Sequence, residues 1–141
     1  MKKILPILFL SVATISCAQK TEKIQTITSK KQQTMDLNKI TNPTVKNAIE
    51  ALQNNDKTAF YTYFTQDAVF TDDGNQLNLK SFFDNAFNHK EKFLSLDKIE
   101  NDGKNLAGNF FAGQWGTFRV FFNFTINEEG KISKLDIGQG K

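Results

Sequence analysis

Two adjacent carboxylates, Asp72 and Asp73, are the residues of this 141-residue chain best suited by type and spacing to move a proton. A carboxylate is charged at neutral pH, and burial or crowding by a like neighbour raises its pKa toward a range useful for acid–base work. The same pair, followed by Gly74 and Asn75, also reads as a plain polar turn. His89 stands alone in N-H-K-E-K, with no second ligand or partner in view. It reads as an exposed residue at a helix C-terminus, where positive charge suits the helix dipole. Lys90, Glu91 and Lys92 beside it read as a solvated charge run. Tyr63 carries a hydroxyl that could orient a bound molecule, although a half-buried tyrosine with its tip in water is the commoner arrangement. One Cys, at position 17, and one His exclude a disulfide framework, a Cys/His zinc cluster and a Cys–His nucleophile pair. No metal or cofactor site is expected.

These groups need a scaffold, and the stretch that organises it is W-G-T-F-R-V-F-F-N-F-T-I at 115–126. With a period of two, Phe118, Val120, Phe122, Phe124 and Ile126 share one face, and Thr117, Arg119, Phe121, Asn123 and Thr125 the other. Alternation in a run so rich in aromatic and β-branched residues predicts a strand. Residues 117–126 would span roughly 33 Å, long for a strand. Its apolar face needs a cover, since each large side chain gains about 1.5–3 kcal/mol on full burial. Most of the 14 Phe are expected in the core; Phe118 and Phe122 are the candidates on this strand to line a cavity. On the opposite face Arg119 and Phe121, joined by Trp115 if the register holds, have the composition of a contact patch. A homodimer through that patch is expected.

Earlier residues supply the cover. Asn42 as cap and Pro43 at the first helical position start a helix whose apolar face is Val45, Ala48, Ile49 and Leu52. Asp56 can cap a second, short helix with Phe60 and Phe64 at i, i+4. A short strand at 67–71 and the turn at 72–75 follow. Asn78 can cap a third helix from Leu79 to about His89, burying Phe82, Phe83, Ala86 and Phe87. The rest alternates strand and turn: a strand at 92–100, a hairpin turn at 101–104, a strand at 105–112, the long strand, and a last strand at 131–138. Helices first and a meander afterwards predict an α+β domain, with three N-terminal helices packed on a curved antiparallel sheet.

Hydrophobic content of 39% is enough for a core, and 23% charged residues is ordinary for a soluble surface. Net charge is +3, and without Lys2 and Lys3 the balance is close to neutral. That argues against nucleic acid, which asks for a concentrated basic face.

The phrases Y-F-T-Q-D-A-V-F-T-D-D-G at 63–74 and E-E-G-K-I-S-K-L-D-I at 128–137, in this order of elements, resemble the nuclear transport factor 2-like superfamily. Its SnoaL-like and ketosteroid isomerase-like members are included, and the resemblance runs over about 43–138. It implies a cone of helices and sheet enclosing an apolar pocket for a small apolar molecule. In isomerase-like members an Asp at the position of Asp72 is a general base on a carbon acid. Their first-helix Tyr and second acid, which hold the developing oxyanion, fall on Ala48 and Phe122, and neither can donate a hydrogen bond. Steroid-type isomerisation is therefore not expected. The resemblance implies non-catalytic binding of a small apolar molecule or a protein partner, with a SnoaL-like enzyme using Asp72 as base as the alternative. A filled cone serving only as a structural dimer module is the third class.

Residues 1–17 begin M-K-K, continue with an apolar run and end S-C. A short basic start, an apolar core and small residues before a boundary predict a signal peptide. The segment resembles bacterial lipoprotein signal peptides, in which the Cys after a small residue is lipidated, here Cys17; Thr14 stands where a Leu is usual. A lipid-anchored protein of the bacterial cell envelope is expected, with a secreted or periplasmic soluble form as the alternative. Residues 18–40, rich in Lys, Gln and Thr, read as a flexible tether. The nuclear transport factor 2-like domain then occupies 41–141.

Overall fold

The computed structural model describes residues 35–140; Cys17, the signal segment and most of the expected tether lie outside them. Helix α1, Pro43–Gln53, starts where Asn42 Oδ1 accepts the Val45 N–H at 3.1 Å, and it buries Val45, Ala48, Ile49, Ala51 and Leu52. Asp56 caps α2, Lys57–Thr62, through the Ala59 N–H. Asn78 caps α3, Leu79–Asn88, through the Ser81 N–H at 2.8 Å. Each of these side chains satisfies an N–H that the first helical turn leaves without a partner.

Between α2 and α3 the chain departs from expectation. Phe64 does not continue α2 but opens strand β1, Phe64–Asp72. Its ring still reaches Phe60, 4.9 Å between centroids. Asp73 (φ 47°) and Gly74 (φ 82°) form a two-residue turn, and Asn75–Leu77 return as β2 against β1. Two successive positive φ values are what a tight hairpin with right-handed strand twist requires.

The remaining strands are β3 (Lys92–Phe93), β4 (Lys98–Glu100), β5 (Asn105–Phe111), β6 (Thr117–Ile126) and β7 (Ile132–Gln139). They form a seven-stranded sheet in the order β2-β1-β7-β6-β5-β3, with β4 also on β5. Pairing is antiparallel except between β1 and β7, which run parallel. The strand expected at 92–100 is two pieces. Where they part, Ser95 carbonyl lies against Gly108, and a Cβ added there would come within 1.9 Å of it. That close approach breaks the ladder and bends the strand, as a bulge does.

The bent sheet wraps the helices. Phe122 and Phe124 of β6 are buried, Val120 is half-buried, and Phe118 is 36% exposed. The apolar face of β6 thus runs from a closed end at Phe124 to an open end at Phe118. Segment 35–40, expected as the end of the tether, packs on the domain: Ile40 is 2% exposed, and Met35 and Leu37 touch the core.

Candidate functional site

A cavity of about 250 Å³ occupies the open end of the cone. Its apolar wall is Phe118, Val120 and Phe122 from β6, Phe110 from β5, Ile137 from β7, and Phe82, Phe83 and Ala86 from α3. Its polar lining includes Asp72 and Asp73 at the end of β1, Asn85 on α3, Glu91 just after α3, and Gln139 on β7. Trp115, in a 3-10 turn at Gly113–Trp115, stands at the mouth with 70% of its surface exposed.

Asp72, Asp73 and Glu91 line this space and Asp136 lies near Asp72; Asp73 and Asp136 have hydrogen-bond partners. Asp73 Oδ1 accepts the Gln139 N–H at 3.0 Å, and Asp136 Oδ1 accepts the Thr71 hydroxyl at 2.5 Å. Burial, then the nearby Asp73 and Asp136 charges, raise the Asp72 pKa above its ordinary value. This is the crowding expected of adjacent carboxylates, with desolvation the larger cause.

Glu91 does not belong to the solvated charge run expected from its neighbours. It is 7% exposed and lines the cavity, while Lys90 and Lys92 on either side are exposed. His89 ends α3, Lys90 takes a left-handed φ of 54°, and the Glu91 N–H bonds back to Ala86 carbonyl. This tight reversal points the next side chain inward. Gly113 (φ 57°) packs over it; a Cβ there would lie 3.2 Å from Glu91 Oε1. Burial raises the Glu91 pKa, opposed in part by His89. No periodicity marks Glu91, because a left-handed residue other than Gly leaves no pattern in the sequence.

The other expected site residues are dispersed. Phe118 and Phe122 line the cavity with Asp72. Tyr63 does not join them: it caps the C-terminus of α2 and packs against the core. It precedes β1 whereas Asp72 ends it, and β1, irregular between Phe64 and Val69, runs beside Ile132 to Ile137 of β7, a span of about 16 Å. His89 is exposed, its Nδ1 donating to Asn85 carbonyl at 2.9 Å. Arg119 makes a two-pronged pair with Asp97, at 2.5 and 2.8 Å, and Phe121 lies against Gly138. Trp115 sits with the cavity residues rather than beside these two. Among the described residues no group of three His, Cys, Asp or Glu side chains is placed to hold a metal ion.

No protein-family model and no curated protein matches this sequence. Solved structures do share its shape. A nuclear transport factor 2-like protein of unknown function from Cytophaga hutchinsonii superposes with a TM-score of 0.58 at 15% identity, over 69% of this chain and 87% of that one. A putative polyketide cyclase from Sinorhizobium meliloti gives 0.54 at 20% identity, over 67% and 92%. A second putative polyketide cyclase, from Xanthomonas campestris, gives 0.55 at 11%, over 74% and 93%. The described domain therefore has the nuclear transport factor 2-like fold, an α+β cone of three helices on a curved, unclosed sheet. The fold expected from the order of elements is the fold found.

Proposed function

We propose that this domain binds a small, mainly apolar molecule in its cone without altering it, and that a lipid on Cys17 holds the domain at the bacterial cell envelope. The observation that carries the binding reading is the cavity of about 250 Å³, walled by aromatic and aliphatic side chains with a few polar groups at one end. Binding pockets of folded proteins have this make-up, and a cone that served only as a packing module would have no need of the space. The anchoring half rests on the signal-like segment that ends at the chain's single Cys. A homodimer through the outer sheet face around Arg119 and Phe121 belongs to the same reading.

A second reading, a SnoaL-like enzyme with Asp72 as general base, draws on a specific observation. Asp72 has a raised pKa, and a second carboxyl group, Glu91, lines the same cavity. Two of the similar structures are putative polyketide cyclases. Against it, the two positions that hold oxyanion donors in the isomerase pattern are the buried, apolar Ala48 and Phe122. Protein purified from its native membrane, extracted and examined by mass spectrometry, tests the binding reading. A small molecule should co-purify with the wild type and be lost from Val120→Trp, which fills the cavity. An empty wild type, or a molecule equally retained by Val120→Trp, would refute it. Conversion of that molecule by wild type but not by Asp72→Asn would favour the enzyme.

A further inference from the structure

The charge of the cavity is one-sided. Asp72, Asp73 and Glu91 line it and, among the described residues, no Lys, Arg or His does. Asp73 is already committed to the Gln139 N–H. Neither the Asp72 nor the Glu91 carboxyl group has a hydrogen bond or ion pair among the described residues. Glu91 is 7% exposed, and its side chain forms part of the cavity wall. A ligand that fills the cavity takes water from the Glu91 carboxylate, and one that brings donors and positive charge offsets that cost.

The lining discriminates among ligand classes. An anion would meet three acidic groups and no cation. A neutral apolar molecule would displace water from Glu91 and bring it no donor. A protonated amine brings up to three N–H donors and the opposite charge, and its hydrogen bonds to carboxylates are of the strong, charge-assisted kind. Phe110, Phe118 and the exposed Trp115 add aromatic faces, which attract cations as well as apolar bodies.

We infer, resting on the small-molecule binding reading above, that the ligand of the cone is an organic cation: a compact apolar body bearing a protonated amine that pairs with the Glu91 carboxylate. The test is a matched series of one body and three head groups, 2-phenylethylamine, 2-phenylethanol and phenylacetate. Each is titrated into the full chain and followed through Trp115, the protein's single tryptophan. At neutral pH the amine should bind at least tenfold more tightly than the alcohol, about 1.4 kcal/mol, and phenylacetate least of all. Glu91→Gln, checked for folding by circular dichroism, should cut the preference for amine over alcohol severalfold. Alcohol or phenylacetate binding as tightly as the amine would overturn the inference while leaving cavity binding intact. So would a preference that survives Glu91→Gln. Failure of all three probes to bind would overturn the inference and count against the binding reading with it.

Discussion

Phe118 and Phe122 lie four residues apart on the same face of β6, and alternation alone treats them as equivalent. The structure does not. Phe122 is 2% exposed, with ring centroids of Phe93 and Phe110 at 4.9 and 5.5 Å and Phe124 at 6.3 Å. Phe118 is 36% exposed at the cavity mouth. Truncating Phe122 to Ala forfeits its burial, about 1.5–3 kcal/mol. Loss of the two closest ring pairs adds about 0.5–1.5 kcal/mol each. The expected destabilisation is therefore roughly 3–5 kcal/mol, within the range for a buried Phe that leaves a void. For a domain of this size that corresponds to a fall in Tm of about 15–25 °C. Phe118→Ala, which forfeits about two-thirds of that burial, should cost about 1–2 kcal/mol. Urea denaturation followed by far-ultraviolet circular dichroism measures both, with the m-value checked for constancy. A loss below about 1 kcal/mol for Phe122→Ala, or equal losses for the two variants, would refute the assignment of a closed end and an open end to the cone.

Glu91→Gln should be more stable than wild type at pH 7. Burial raises the folded-state pKa of Glu91, so the unfolded chain ionises first and wild-type stability falls as pH rises from the unfolded to the folded value. Below the unfolded value, about 4.3, both states hold the proton and the advantage should vanish, as melts at the two pH extremes will show. Gly108→Ala should destabilise by about 1–3 kcal/mol or more, because the new methyl meets the Ser95 backbone rather than a movable side chain; a neutral effect in denaturant melts would contradict the kink between β3 and β4. Cys17→Ser should leave the precursor without lipid and shift its fractionation, and wild-type protein lacking acylated Cys17 and free of the membrane would exclude the anchor. Sedimentation over a range of concentrations should show a homodimer weakened by Phe121→Asp, and a monomer throughout would dispose of the dimer.

What the sequence determined by itself is the set of features governed by neighbours in the chain. Asn42, Asp56 and Asn78 start the three helices because each side-chain oxygen reaches an N–H only three residues on. The long strand at 117–126 was legible from its alternation, and the order of elements was enough for the fold. Asp72 was visible as a crowded carboxylate beside Asp73, although how deeply it is buried was not. The remainder depends on partners distant in the chain. Phe64 is a strand residue because β7 lies alongside to pair with it, in a parallel register that no local pattern encodes. The strand at 92–100 divides because Gly108, thirteen residues after Ser95, lets the two backbones touch. Tyr63 falls outside the cavity because it caps α2 at the start of β1, whereas Asp72 ends that strand at the cavity. Glu91 shows the difference most clearly. Between two lysines its sequence surroundings are those of solvent, and only the reversal after α3, closed over by Gly113, puts its carboxyl group in the cavity wall. Caps and turns are decided by hydrogen bonds across a few residues, whereas burial is decided by whatever the whole chain brings to the other side.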